Sequence, residues 1–219
     1  KWLKGTAIAS EIIKSLAIIG GQWPHTSYMT PGGVMSDPTL LDLTTMENYL
    51  DNAIRFFEEE FAGVSFDEYL SFNSESDLEK IGLDLKDFID ISFEKDFHNI
   101  GKAYNRFIAL TNSISFKAGK KNKRLNCNLD FKNICESTKY TFNVDSNKES
   151  SQAYGWAKNV KYLDNFYETG PLARAVINER KFITKLNKKF DDSVLTRVMA
   201  RMDEFAYLLH KTKELIKQI

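Results

Sequence analysis

The chain has 219 residues, of which 42% are hydrophobic and 27% are charged, and its 30 basic and 30 acidic side chains cancel. This is the composition of an ordinary globular protein that is long enough to bury a substantial core. The lack of net charge removes the global field that would favour nucleic acid or an anionic membrane.

Cysteine usage and hydropathy exclude further classes. Cys127 and Cys135 are too few for a disulfide framework and lack CxxC spacing, so we expect two free thiols. The longest apolar runs, such as residues 16–19, are too short to cross a bilayer. The sequence shows no secretory signal and begins at Lys1, so we interpret the chain as an excised fragment.

The N-terminal third is predicted to be helical. Apolar residues recur at helical spacing over residues 6–19, and the Gly20-Gly21 pair ends that helix. Pro31-Gly32 suits a type II turn within a turn-rich segment. Thr44 to Glu47 has the pattern of a capping box, which predicts a helix to about Glu60.

The middle of the chain is mixed. Short helices are predicted near residues 66–72, 76–82 and 85–92. Residues 106–116 and 140–144 are predicted as strands from their β-branched and aromatic content. The intervening lysines and Arg124 (residues 117–124) are interpreted as a solvated basic loop, and residues 146–151 as a polar loop.

The C-terminal part is again helical. The Gly170-Pro171 step opens one helix, and Asp191-Asp192-Ser193 precedes the longest one, which runs towards the C-terminus. The predicted fold class is therefore mainly α with a small β element (α+β).

Three segments contain candidate functional residues. The first combines two glycine pairs with a Pro-His step: Gly20, Gly21, Pro24, His25, Gly32 and Gly33. Tight bends of this kind carry a side chain to a defined position. His25 is either a structural histidine bonded to a backbone carbonyl or a group facing a ligand.

The second segment contains Glu168, Gly170, Pro171 and Arg174. A carboxylate ahead of a helix start is favoured by the helix dipole, and the simple interpretation is a capped helix with a surface ion pair. In the third segment Arg197 and Arg201 share one helix face. A solvated face is favoured there, and a carboxylate on another element is the alternative.

The remaining candidates are weak. The basic loop lacks interleaved aromatic residues, so no nucleic-acid partner is predicted. His98 and His210 have no second ligand at helical spacing, so no metal site is predicted.

Taken in order, these segments resemble the large subunit of NiFe-hydrogenases. That family has Gly-Gly-Lys-x-Pro-His followed by Gly-Gly-Val, where this chain has residues 20–25 and then 32–34. It also has Glu-Val-Gly-Pro-Leu-Ala-Arg, here residues 168–174, and a later helix with arginines and a glutamate. Ile134-Cys135-Glu136 is similar to the family's Ile-x-Glu step.

The chain also departs from the family pattern. Gln22 replaces a lysine, and Val160 and Lys161 replace the proline and arginine of a Ser-Trp-x-Lys-x-Pro-Arg-Tyr segment. Roles that depend on that proline or arginine are therefore not carried over to this chain, which resembles a divergent member. The sequence Pro-His-Thr-Ser-Tyr-Met at residues 24–29 is more similar to uptake-type or sensor-type members than to the standard periplasmic enzymes.

The resemblance implies a fold and an activity for the parent protein. The chain would have the fold of the central part of the large subunit, as a single fragment over residues 1–219. The parent would oxidise H₂ at a nickel–iron centre held by four cysteine thiolates, from Arg-x-Cys-Gly-x-Cys and Asp-Pro-Cys-x-x-Cys motifs. Neither motif occurs here, so we expect no catalytic residue, no metal ligand, no cofactor and no activity in this fragment alone.

The resemblance also implies partners. His25 would lie near the iron–sulfur cluster closest to the nickel site, at the interface with the iron–sulfur small subunit, and could hydrogen-bond towards that cluster. Glu168 and Arg174 would serve the scaffold. The remainder of the large subunit is the other expected partner, and the exposed fragment would self-associate.

Two alternatives remain open: an H₂-sensing regulatory subunit and an unrelated helical interaction domain. The expected location is cytoplasmic or membrane-associated through a partner, with a periplasmic location still open.

Overall fold

The computed structural model describes residues 2–110, 113, 115–122, 125–142 and 155–219. They divide into two compact units. Unit 1 consists of Lys1–Phe72, Ser76–Ile91 and Phe205–Ile219. Unit 2 consists of Asn73–Glu75 and Ser92–Glu204. Helices prevail and the sheets are small, which confirms the predicted fold class.

Unit 1 is built mainly from helices. These are α1 (Trp2–Gly20), α2 (Leu40–Phe56), α3 (Phe66–Ser71), α4 (Leu83–Glu94) and the end of α7 (Val194–Ile216). A π-helical segment, Phe57–Ala62, continues α2, and a 3₁₀ segment spans Glu75–Lys80. α1 packs along α2, and it begins earlier than residue 6, where the sequence placed its start.

The capping box of α2 lies five residues before the predicted one. The Thr39 hydroxyl accepts from the Asp42 N–H, and the Asp42 carboxylate accepts from the Thr39 N–H. The hydroxyls of Thr44 and Thr45 instead donate to the carbonyls of Leu40 and Leu41 within the helix. The prediction was wrong because Thr-x-x-Asp caps a helix as well as Thr-x-x-Glu, and it comes first.

Aromatic rings fill the centre of unit 1. Phe57 is 1% exposed, and its ring centroid lies 4.9 Å from that of Tyr69 and 5.9 Å from that of Phe66 in edge-on arrangements. Edge-to-face contacts add to the gain from burial. The core of unit 1 therefore depends on a cluster at the junction of α2 and α3.

A short hairpin follows α1. β1 (Met29–Thr30) pairs with β2 (Gly33–Val34) across Pro31 and Gly32. Gly32 has φ +95°, which is the left-handed geometry that the third position of a type II turn requires. This agrees with the turn predicted from Pro31-Gly32.

Unit 2 contains two three-stranded antiparallel sheets. The first has β3 (Arg106–Ala109), β4 (Gly119–Asn122) and β5 (Leu125–Cys127) in that order. The second has β6 (Ile134–Ser137), β7 (Asn159–Tyr162) and β8 (Asn165–Phe166). Phe107 and Ile108 on β3 are fully buried, which gives the first sheet a strong hydrophobic anchor.

The sheets correct several predictions. The strand predicted over residues 106–116 ends at Ala109, and the predicted basic loop contains β4, which places Lys121 in the interior. Of the strand predicted at residues 140–144, Thr141 makes only an isolated bridge to Gly155. Residues 143–144 and the predicted loop at 146–151 lie outside the described residues.

Three helices complete unit 2: α5 (Pro171–Ile177), α6 (Lys181–Phe190) and the first part of α7. Pro171 occupies the first turn of α5, as predicted. The Ser193 hydroxyl accepts from the Thr196 N–H at the start of α7. β3 packs against α5, and this contact positions the residues described next.

Candidate functional site

Glu168 is held by its backbone against β3. Its carbonyl accepts from the Ile108 N–H at 2.9 Å, and its N–H donates to the Arg106 carbonyl at 2.8 Å. Two residues later Gly170, with φ +116°, turns the chain into α5. A non-glycine residue would be strained at that φ. The turn therefore fixes where the Glu168 side chain leaves the sheet.

Glu168 and Arg197 form a two-pronged ion pair within unit 2. Arg197 Nε donates to Glu168 Oε1 and Arg197 Nη2 to Oε2, both at 2.8 Å. Arg197 Nη1 donates to the Gly101 carbonyl at 2.7 Å. The Glu168 hydrogen bonds raise the pKa of Arg197, against the opposing effect of burial. This geometry ties the segment before α5 to α7.

Arg197 therefore follows the alternative interpretation, a carboxylate partner on another element, and the favoured solvated face was wrong for it. Arg201, one turn later on α7, is exposed. The two arginines consequently have different environments despite their i, i+4 spacing.

Arg174 on α5 makes a second pair of this kind. Its Nε and Nη2 donate to Glu204 Oε2 and Oε1 at 2.7 and 2.6 Å. These hydrogen bonds raise the pKa of Arg174. Both side chains are mostly buried, with 26% and 14% exposed. The pair is therefore a fixed contact between α5 and α7, stronger than the surface ion pair expected from the sequence.

Sequence reasoning missed two further acidic anchors. Arg180, just before α6, donates to both oxygens of Asp203 at 2.8 Å, and Asp203 is 3% exposed. Asp192 is 1% exposed and accepts from the N–H groups of Ala103 and Asn105 at 2.9 and 3.0 Å. The available signal for Asp203 was its position next to Glu204 among apolar residues of α7 such as Met199, Ala200 and Ala206, because buried carboxylates need partners.

A cleft of about 370 Å³ opens beside the Glu168–Arg197 pair. Its lining also includes Tyr104 and Phe166, whose rings are stacked at 6.4 Å. Arg106 lies over the Tyr104 ring at 4.4 Å and donates to the Phe166 carbonyl. The cleft thus has aromatic walls, and the Glu168–Arg197 pair on its lining is already engaged.

The glycine-rich segment lies in unit 1. Gly21 has φ +76° and His25 has φ +67°, and Gln22 Nε2 donates to the His25 carbonyl at 2.7 Å. A Cβ on Gly20 would lie 2.6 Å from a Thr26 methyl carbon, so only glycine fits there. The bends present His25 at the surface, and no described carbonyl accepts from its ring. Pro24 follows a cis peptide bond, and Gly33 lies in β2.

No metal-binding cluster occurs in the described part of the chain. Its His, Cys, Asp and Glu residues nowhere form a group of three or more that could hold a metal ion. Cys127 and Cys135 form no disulfide, and Cys135 is exposed. Two cysteines in the whole sequence cannot supply four thiolates. The donor set of this chain therefore does not fit a four-thiolate nickel–iron centre.

The described helices include none that is both long and apolar enough to cross a membrane.

Known proteins resemble this chain in structure. No protein-family model and no curated protein matches it. The Ni-Fe-Se hydrogenase from D. vulgaris Hildenborough, in its reduced state, has a chain that matches with a TM-score of 0.71 and 20% identity over 100% of this chain and 49% of that one. The [NiFeSe]-hydrogenase of Dm. baculatum matches with a TM-score of 0.71 and 19% identity, over 99% and 48%.

The chain spans about half the length of the solved chains that it matches. Identity near 20% establishes a shared fold and nothing finer. The expectation of a hydrogenase large-subunit fold is thereby confirmed: over its whole length, this chain has the fold of a segment of these hydrogenase chains.

Proposed function

We propose that this chain is a segment of the large subunit of a NiFe-hydrogenase that oxidises H₂ to protons and electrons. The observation that carries the proposal is the fold match over the entire chain. The sequence motifs support it, because Gly170, Pro171 and Arg174 occupy a defined helix start and a buried ion pair. Fold alone does not determine chemistry, so the motifs matter.

The role proposed for this segment is structural. Glu168–Arg197 and Arg174–Glu204 would hold α5 and the sheet against α7 while other parts of the parent protein supply the metal ligands. The nickel–iron centre belongs to the parent, and none is assigned to these residues. The isolated 219-residue chain should bind no stoichiometric nickel and show no H₂ oxidation.

The partner proposed for unit 1 is an iron–sulfur small subunit. His25 is exposed, and large apolar side chains near it along the chain are exposed too, including Trp23 (53%), Met29 (67%) and Met35 (76%). Exposed apolar side chains of this size are typical of an interaction surface. His25 would then lie within hydrogen-bonding reach of a cluster. Without its partners, the fragment should self-associate through this surface.

The first test is to sequence the reading frame on both sides of this chain and assay its product. Arg-x-Cys-Gly-x-Cys upstream, Asp-Pro-Cys-x-x-Cys downstream and H₂-dependent reduction of a viologen dye would support the proposal. Flanks without these cysteines would contradict it and favour an unrelated helical interaction domain. A metal-loaded protein with very slow turnover would instead indicate an H₂ sensor.

The second test concerns the small subunit. In the full protein, Trp23→Asp should reduce co-purification of an iron–sulfur partner, because a carboxylate would be buried in an apolar contact. Leu163→Asp, at a residue that is 58% exposed in unit 2, is the control. Equal recovery of the partner from both variants would argue against this surface.

Cell fractionation of the intact protein would test the proposed cytoplasmic or partner-dependent membrane location.

A further inference from the structure

A second cavity, of about 540 Å³, lies in unit 2 away from the Glu168–Arg197 pair. β4 and α6 both contribute to its walls. Its charged and hydroxyl-bearing lining residues are Lys121, Glu179, Lys181, Thr184, Lys185 and Lys188. Four lysines and one glutamate therefore line this cavity.

Lys121 is the most informative of these residues. It is 9% exposed, and its ammonium group donates only a long bond, 3.5 Å, to the Val176 carbonyl. No carboxylate among the described residues lies within ion-pair distance of it. Burying an ammonium group is costly unless an anion compensates it. The charge of Lys121 thus calls for a negative partner that the described part of the chain does not provide.

Thr184 supplies an independent observation. Its hydroxyl is buried and has no hydrogen-bond partner among the described residues, although a helical threonine commonly bonds to the carbonyl four residues earlier. A buried hydroxyl without a partner destabilises the fold, because it has given up its hydrogen bonds to water. Because Thr184 lines the same cavity as Lys121, an oxyanion there could accept from both groups.

The outer lysines extend the positive charge towards solvent. Lys181, Lys185 and Lys188 are exposed, and Glu179 is the carboxylate that opposes them within the lining. A second carboxylate, Glu75, lies near Lys185 outside the lining and offsets part of its charge. The remaining excess favours a ligand with two negative charges over a monovalent one.

We propose that this cavity binds the phosphate group of a small phosphorylated molecule. The Lys121 ammonium and the Thr184 hydroxyl would donate to the phosphate oxygens, and the exposed lysines would attract the dianion. A volume of about 540 Å³ is in the range of sites for small organic ligands, so it leaves room for more than the phosphate itself. This site is independent of the proposed hydrogenase role.

The test is calorimetric titration of the 219-residue chain in about 150 mM salt, where diffuse surface attraction is screened. The ligands are inorganic phosphate, glucose 6-phosphate and glucose. We expect saturable binding of the phosphates and none of glucose. Tighter binding of glucose 6-phosphate identifies an organic phosphate as the ligand class, and equal affinities identify the phosphate group alone. Either result supports the site.

The variants are chosen to separate a built site from general positive charge. Thr184→Val, which keeps the side-chain shape, should weaken binding about three- to tenfold, and Lys121→Met about tenfold or more. Lys132→Met removes one exposed lysine of unit 2 outside the cavity and should change affinity less than about twofold. Circular dichroism checks that each variant folds. If Lys121→Met does not fold, the comparison of Thr184→Val with Lys132→Met is sufficient.

The proposal is overturned if no phosphate compound binds saturably. It is also overturned if Thr184→Val and Lys132→Met bind with the same affinity as the unmodified chain.

Discussion

Glu168→Gln is the most direct test of how this scaffold is held together. The substitution keeps the size of the side chain and removes its charge, so Arg197 loses one acceptor and the nearer of its two ionic partners. The other, Asp192, lies 3.8 Å from Arg197 Nη2. Hydrogen bonds to charged groups contribute about 1.5–3 kcal/mol each. The side chains are 19% and 32% exposed, so screening reduces that gain. We expect a loss of about 2 kcal/mol in the free energy of unfolding.

The matched control is Glu136→Gln. Glu136 pairs with Lys158 at 2.7 Å, but these side chains are 64% and 53% exposed. The same chemical change should cost less than about 0.5 kcal/mol there, because exposed ion pairs contribute little. The difference in stability between the two variants therefore separates the effect of burial and two-pronged geometry from the effect of losing a charge.

Urea unfolding followed by circular dichroism measures both variants, and thermal unfolding should show a drop of about 4–8 °C for Glu168→Gln. A double-mutant cycle with Arg197→Met gives the coupling energy directly. If Glu168→Gln is no less stable than Glu136→Gln, or if the cycle shows no coupling, then the pair is not a structural anchor and the reasoning fails.

Three further predictions follow from single residues. Gly170→Ala should destabilise the chain by about 1–3 kcal/mol because φ is +116° there, whereas Gly155→Ala, where an added Cβ meets open space, should be nearly neutral in urea unfolding. Leu186→Ala should cost about 2–5 kcal/mol in the same assay, since Leu186 is fully buried; a smaller loss would mean that the site collapses. Hydrogen bonds from the Thr39 hydroxyl and then its N–H lower the pKa of Asp42, so the capping contribution is present above the ordinary pKa and lost as pH falls through the lowered one. Amide exchange at the start of α2 should therefore differ between Asp42→Ala and the unmodified chain at neutral pH, and the difference should disappear once the pH falls below the lowered pKa.

Local patterns in the sequence were sufficient for several elements. Pro31-Gly32 predicted the hairpin turn, Gly170-Pro171 the start of α5, and the residues before Val194 the start of α7. Each depends on the backbone preferences of a few adjacent residues, which act before any tertiary contact forms.

Other local predictions failed where two patterns competed or tertiary contacts decided. The α2 capping box begins at Thr39 and not at Thr44, and α6 was not predicted at all. Residues 117–124 were predicted to form a solvated loop because they are mostly basic, but β4 forms there by pairing with β3. A strand depends on a distant partner, so composition alone indicates it poorly.

By itself, the sequence determined the fold class, the candidate residues and the resemblance to a hydrogenase large subunit. Only the tertiary structure decided that Glu168 pairs with Arg197 and that Arg180 pairs with Asp203. It also decided that Lys121 is buried beside Thr184. The two residues in each case lie 23 to 63 positions apart in the chain, and no local periodicity brings such residues together. The two ion pairs owe their strength to shared burial, which exists only after the elements have packed.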